Sequence, residues 1–363
     1  MAAYDITQLK FLEHDTTDSI YSSLVKIDDT HFILAYRGED SDGFIKTFSI
    51  DGSYNITQIS SLEHDTTLGG SNSLVKIDDT HFILAYQGTS YRGYIKTFSI
   101  DGSYNITQLK SLGHDTVYGS DNSLVKIDDT HFILAYTGTG GGFIKTFSID
   151  ESYNITQIYS LGHDTAIGGY NSLVKIDDTH FILAYTGTDS DGFIKTFSID
   201  GSYNITQIYS LEHDTTLGYN NSLVKIDDTH FILAYTGTDG DGFIKTFSID
   251  GSYNITQLKT LEHDTADGIH NSLVKIDDTH YMLAYTGSGS DGFIKTFSID
   301  GSYNITQLKT LEHDTDNGQY NSLVKIDDTH YILAYAGLDN DGFIKTFFVE
   351  LPITDTSNFF QLF

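Results

Sequence analysis

The segment KIDDTHFILAY occurs seven times, with one or two letters changed in the last two copies, and the copies are marked by His31, His81, His131, His180, His230, His280 and His330. The spacing is 50 residues, and 49 between His131 and His180. A chain of 363 residues filled by one unit in this way is read as a single quasi-symmetric body rather than as two or three unrelated domains. A unit of this kind buries its apolar face only against its neighbours, so stacking is obligatory.

Residues 171–215, NSLVKIDDTHFILAYTGTDSDGFIKTFSIDGSYNITQIYSLEHDT, contain four short apolar runs: SLVKI, HFILAY, FIKTFSI and NITQIYSL. Asp-Asp-Thr, a Gly/Asp/Ser window and Asp-Gly-Ser separate them, which predicts an antiparallel four-stranded meander. The runs are rich in Ile, Val, Phe, Tyr and Thr, the only proline is Pro352, and no segment carries helical periodicity. HFILAY scarcely alternates, as expected where both faces of a sheet are covered by other sheets. Sheets of this repeat length packed face to face around an axis make a β-propeller, here with seven blades.

The chain ends discriminate between a closed ring and a linear stack. With strands named A to D from the axis outward, the sequence opens on YDITQLKFL, a D run, and its last repeated segment, FIKTFFV, is a C run. The N-terminal strand, residues 4–13, therefore completes the blade of residues 321–350 in a three-plus-one closure, which removes two exposed sheet edges. The expected fold class is all-β: a closed seven-bladed propeller over residues 1–350, followed by a non-repeat tail, 351–363. Phe359, Phe360, Leu362 and Phe363 in that tail are expected to pack on the ring.

Charge narrows the partners. Fifty acidic against 20 basic residues give a formal charge of −30, a field that repels phosphate backbones and anionic lipid, so nucleic acid is not an expected partner. No apolar run approaches the roughly 20 residues of a membrane span, and no signal peptide precedes Tyr4, so no membrane insertion is expected and the compartment stays open. There is no cysteine, hence no disulfide framework and no thiolate metal site.

Gly113-His114 and Gly162-His163 before strand A, and DGFIKTFSID at Asp191 to Asp200 after strand B, resemble the Gly-His and Asp-x-x-Ile-x-x-Trp-Asp marks of WD40 propeller blades. The resemblance covers every unit in outline. The unit is longer, however, tryptophan is absent, five units have Glu before the His, and Arg92 and Gly141 replace the turn Asp. In their near identity the blades also resemble bacterial and environmental propellers whose blades were copied from one ancestor. Neither resemblance implies a specific activity.

In such a ring the D-to-A and B-to-C loops share one face. Nearly all variation between the copies lies there. After each His-Asp-Thr come TDSIY, TLGGS, VYGSD, AIGGY, TLGYN, ADGIH or DNGQY, and a glycine holds the middle of six of them, an expected positive-φ position. The fifth position is Tyr21, Ser71, Asp121, Tyr170, Asn220, His270 or Tyr320. Tyr, Ser, Gly and Asn on loops above a rigid scaffold compose a recognition surface, and drift in exposed loops after duplication is the alternative. The expected ligand-binding residues are Tyr21, Tyr91, Arg92, Tyr118, Asp121, Tyr170, Tyr219, Asn220, His270 and Tyr320. They would form several near-equivalent grooves for a glycan or a protein surface. The chain is expected to be a monomer and not an enzyme, the rival reading being a structural or self-associating protein without a dedicated ligand.

Other constellations read as structural. Asp189/Asp191 and Asp239/Asp241 resemble part of a calcium loop, but each window supplies two carboxylates where calcium wants about 6–8 oxygens, so they are weak metal candidates and no cofactor is expected. Fourteen of the 15 histidines form two rings, one in Glu/Gly-His-Asp-Thr and one in Asp-Asp-Thr-His. Identical groups set apart around a ring do not converge on one reacting atom, so hydrogen bonding is their expected role. Lysines in strands A and C are expected to line the channel or to answer the Asp rings. Six Asn-Ile-Thr triplets match a glycosylation acceptor but sit at strand entries, where turn formation explains them.

Overall fold

Residues 3–352 are described by the computed structural model of the chain. They form seven separate antiparallel sheets of four strands each. The first sheet is typical: strand A Ile20–Lys26, B His31–Arg37, C Gly43–Ile50 and D Ile56–Asp65 lie in that order. Strand D carries a register shift opposite Thr47/Phe48, where one extra residue bends the outer edge.

The N-terminal strand, Ile6–Asp15, is the outer strand of the last sheet. It pairs antiparallel with Gly342–Val349, from Ile6 opposite Val349 to Asp15 opposite Gly342. The junction is sealed by Tyr4 N–H donating to Glu350 O at 2.6 Å and Glu350 N–H to Asp5 O at 3.0 Å. The expected three-plus-one closure is therefore present. The tail residues Phe359, Phe360, Leu362 and Phe363 lie outside the described residues.

The core sits between blades, not within them. Phe32, Ile33, Leu34, Ala35 and Tyr36 of strand B are all fully buried, because each face of the sheet meets a neighbouring sheet. One cluster joins Ile27, Ile33, Ala35 and Ile45 to Leu74, Phe82, Leu84 and Phe98 of the next blade. The cluster that joins Ile326, Ile332, Ala334 and Ile344 to Leu24, Phe32 and Leu34 closes the circle across the chain ends.

Three sets of polar contacts repeat at the blade junctions. Near the axis, Leu24 N–H donates to Ser322 Oγ at 2.9 Å and Leu74 N–H to Ser23 Oγ at 3.0 Å, and the same link recurs at each junction through Leu323 and Ser272. On the face of the A-to-B and C-to-D turns, Tyr104 stacks on His31 of the preceding blade at 3.6 Å between ring centroids, and its hydroxyl donates to Asp28 at 2.7 Å. Tyr4 does the same on His280 and Asp277, so the N-terminal segment supplies the seventh clasp of this kind.

On the opposite face, Asp15 accepts from Tyr36 Oη at 2.6 Å and from Lys46 Nζ at 3.3 Å, while Lys46 also donates to His14 O at 2.7 Å. All seven strand C lysines are buried and donate to a histidine carbonyl, and four of them, Lys46, Lys245, Lys295 and Lys345, also pair with Asp as expected. Those of strand A are answered too: Lys76 Nζ donates to Ile27 O of the preceding blade at 2.7 Å and pairs with Asp79 at 2.9 Å.

The two histidine rings behave differently. His31 and its counterparts hydrogen-bond as expected, with Nδ1 at 2.9 Å from Asp28. His64, His114, His163, His213, His263 and His313 do not, and His14 has only a 3.5 Å contact from Nε2 to Ser19 Oγ. All seven are buried edge-on against tyrosine and phenylalanine, as His64 is against Tyr86 and Phe98. Both ring nitrogens of the first six lack a hydrogen-bond partner among the described residues. Burial, reinforced by the neighbouring strand C ammonium, lowers the whole ring from 6.5 to about 3, so these imidazoles are neutral.

Candidate functional site

The D-to-A and B-to-C loops do share a face: Gly69 N–H, in one D-to-A loop, donates to Ser41 O in a B-to-C loop at 2.9 Å. The positive φ expected at the central glycine of the D-to-A window occurs at Gly168 alone of the six. Elsewhere that glycine has a different task. A Cβ on Gly69 would overlap the backbone of Gly43, so the residue permits two chain segments to cross in contact.

Positive φ falls instead on the fifth position, and on all seven blades: Tyr21 56°, Ser71 49°, Asp121 49°, Tyr170 49°, Asn220 51°, His270 52° and Tyr320 54°. Strand A breaks register at this point, between Ile20 and Ser23 in the first blade. The bulge turns these side chains toward the axis. They converge on a cavity of about 330 Å³ at the mouth of the central channel, together with the residue that follows each of them. The expected series of separate grooves is thus replaced, for these residues, by one axial cup.

The cup is asymmetric although its frame is not. Tyr320 packs between His270 and Tyr21, at 4.2 and 4.8 Å between ring centroids, which makes one arc aromatic. Asp121 lies beyond Ser71 on the other side. Its carboxylate accepts from Thr137 Oγ1 at 2.9 Å and Ser120 Oγ at 3.3 Å, and burial raises its pKa because no cation answers it. Burial lowers His270 to about 4, so its ring is neutral at pH 7.

A second set of residues holds the first in place. The residue 16 positions further on, at the end of strand B, touches the cup residue of its own blade: Arg37 lies over the Tyr21 ring at 5.3 Å, Thr236 accepts from Asn220 at 3.3 Å, and Thr286 bonds His270 at 3.3 Å. Asn72 donates through Nδ2 to Tyr21 O of the preceding blade at 3.2 Å and to Gly69 O at 2.8 Å, and five other asparagines repeat this. Two carbonyl acceptors fix the amide orientation, which leaves Oδ1 of Asn72, Asn122, Asn171, Asn221, Asn271 and Asn321 buried without a partner among the described residues. Ser22 stands where the seventh asparagine would be, and its Oγ is equally unpaired.

Four of the expected residues lie outside the cup. Tyr91 is exposed in the B-to-C turn Thr89–Tyr91, with Arg92 closing that turn. Tyr118 is exposed in the D-to-A loop. Tyr219 braces Tyr170 at 5.0 Å between centroids, with its hydroxyl on Ser190 Oγ at 2.8 Å. Sequence reading missed Ser71, Arg37 and the asparagine ring. Arg37 had a signal, since its column reads Arg, Gln, Thr, Thr, Thr, Thr, Ala. The asparagines had none, because a strand residue repeated in six of seven blades looks structural.

Asp189 is the central residue of the turn Thr188–Ser190 and Asp191 closes it, and Asp239 and Asp241 hold the same places in Thr238–Gly240. Among the described residues no three His, Asp or Glu side chains gather in a metal-binding group. No described helix is long and apolar enough to cross a membrane.

No family model matches the chain, and no curated protein matches it. Solved structures do. A periplasmic gluconolactonase of Pseudomonas aeruginosa aligns with TM-score 0.62 at 15% identity, over 78% of this chain and 82% of that one. A protein from Lactobacillus plantarum aligns with TM-score 0.65 at 15% identity, over 85% and 89%. A hypothetical selenium-binding protein from Sulfolobus tokodaii aligns with TM-score 0.67 at 10% identity, over 89% and 90%. At these identities the likeness is one of fold.

Proposed function

We propose that the chain is a non-enzymatic, monomeric binding propeller, and that its axial cup captures a small polar group presented by a glycan or a protein surface. The observation that carries this reading is the backbone of the cup residues. Seven residues sit in the left-handed region and none is glycine, although three are tyrosines. A bulky residue held there costs about 1–3 kcal/mol, a cost that glycine would relieve. Drift in an unconstrained loop relaxes such strain. Retaining Tyr, His and Asp at these points is what a site that needs their side chains would do.

The volume fits the reading. About 330 Å³ lies at the small end of ligand pockets, room for one compact group rather than an extended chain. Against catalysis stands the use already made of the repeated titratable groups. The Asp15 ring is tied to tyrosine and lysine, and the His31 ring to aspartate and tyrosine.

A glycan array and a cell-surface binding assay, run with the full chain and with Tyr21→Ala, Tyr170→Ala and Tyr320→Ala, test the proposal. Binding that is lost in the variants while their melts stay unchanged supports it. Binding that survives all three substitutions places the ligand elsewhere, and no binding to any target favours a purely structural role.

A further inference from the structure

We infer that the group captured by the cup is cationic, an ammonium that sets its N–H donors against Asp121 and its apolar flank against the aromatic arc. The inference rests on the binding reading above and deepens it to a ligand class. Three features of the wall lead to it.

First, the formal charge in the lining comes from one residue. Asp121 is the one carboxylate among the described lining residues, and its side-chain partners, Thr137 and Ser120, are neutral hydroxyls. A partly desolvated carboxylate without a counter-ion is costly to keep, and a cation arriving from solvent removes that cost. Arg37 is not part of the lining and lies over the Tyr21 ring. His270 does not compensate Asp121, since its ring is neutral.

Second, the amide donors of the wall are already engaged. The Asn122 amide and its five equivalents spend their N–H groups on backbone carbonyls and leave Oδ1 unpaired. The hydroxyls that remain in the lining, those of Tyr21, Ser22, Ser71, Tyr170 and Tyr320, can accept from an ammonium as readily as they donate.

Third, Tyr320 and Tyr21 give a continuous aromatic arc, with Tyr170 on the far side beyond Asp121. Ring faces attract cations within about 6 Å of their centroids, most strongly where water is excluded. The chain's formal charge of −30 adds a long-range field that draws cations toward the protein and repels anions. Neutral sugars share the affinity for tyrosine but gain nothing from the carboxylate.

Isothermal titration of the full chain at neutral pH and low salt, with two matched pairs of probes, tests the inference: glucosamine against glucose, and n-butylammonium against n-butanol. The pairs separate an amino sugar from a lysine-like alkylamine as the source of the ammonium. In at least one pair the amine is expected to bind about tenfold or more tighter than its neutral mate. Asp121→Asn, and Asp121→Ser with the residue found at the equivalent Ser71, should bring amine and neutral mate level without lowering the melt. Neutral mates that bind as well as the amines overturn the cationic class and leave the cup as a binding site. Failure of all four probes to bind also overturns it, and the array experiment then judges the cup separately. Preference for the amine that persists in both Asp121 variants overturns the role given to that carboxylate.

Discussion

Mild acid should unfold this protein, through the seven imidazoles buried at the D-to-A face. Their pKa stands at about 3 in the fold against 6.5 when solvated, with burial as the first cause and the strand C ammonium as the second. A histidine whose folded pKa is depressed binds its proton in the unfolded chain first, so its contribution is intact above 6.5 and is lost as pH falls from there toward 3. Between about pH 7 and about pH 5 each such residue forfeits about 2 kcal/mol. Seven together forfeit about 13 kcal/mol, as much as the whole stability of a typical domain, about 5–15 kcal/mol. Near pH 5 the slope should approach about seven protons, or about 9 kcal/mol per pH unit. His270, lowered to about 4, adds to the same trend.

The sign is discriminating, because the chain's gross charge argues the other way. A protein of formal charge −30 and pI near 4.5 sheds self-repulsion as pH falls toward 5, which by itself would make the fold tighter. Urea unfolding followed by far-ultraviolet circular dichroism, at steps from about pH 7.5 to about pH 5 in moderate salt, measures the balance. The midpoint should fall steeply below about pH 6, and His213→Leu should lower the proton slope by about one. Stability that stays level or rises over this range would refute the reasoning, since it would mean that the ring nitrogens carry their protons in the folded state.

Three further outcomes are expected. Deleting residues 1–13 should abolish the single cooperative melt seen by calorimetry, and Tyr4→Ala should cost about 3 kcal/mol through the lost ring stack and burial; a truncated chain with an unchanged melt would contradict ring closure. Ser22→Asn should stabilise the junction of the last and first blades by about 1 kcal/mol, because the new amide reaches the carbonyl of Tyr320 as its six counterparts reach theirs; a lower urea midpoint would show that the junction has no room for it. Tyr170→Gly should leave the melting temperature equal or higher, by up to about 1 kcal/mol in stability, while ligand binding is lost; a clear drop in stability would show that the tyrosine is there for packing.

Much of this architecture is written in the repeats, and the exceptions are instructive. Strand B could be placed between two sheets because HFILAY does not alternate, and the ring could be closed because YDITQLKFL is a D strand with no blade of its own. The cup was legible only as a column of variable residues. A left-handed residue is normally announced by Gly or Asn, and here the glycine two positions earlier drew that expectation while serving, as Gly69 does, to let the chain pass Gly43. The bulge that aims Tyr21 at the axis is a property of strand pairing, so no single segment encodes it. The histidine rings look alike in sequence for a related reason. His31 follows Asp28 by three residues across a tight turn and can reach it, whereas His14 points into a gap between aromatic rings that only the assembled blades create.

The division of labour between repeated and variable residues follows from these contacts. Several repeated polar groups, among them Asp15 with Tyr36, Asp28 with Tyr104, and Ser23 with Leu74, are matched across a blade junction, so a change in one blade would leave a partner in the next unpaired. The fifth position of the D-to-A window is released from that constraint, because its side chain meets the axis and not a junction. Sevenfold copying therefore yields a rigid frame together with one place where seven different side chains can be set side by side. An axial site is the only site on such a ring where every blade contributes to one ligand, and its asymmetry costs the frame nothing beyond the local strain of the backbone that presents it.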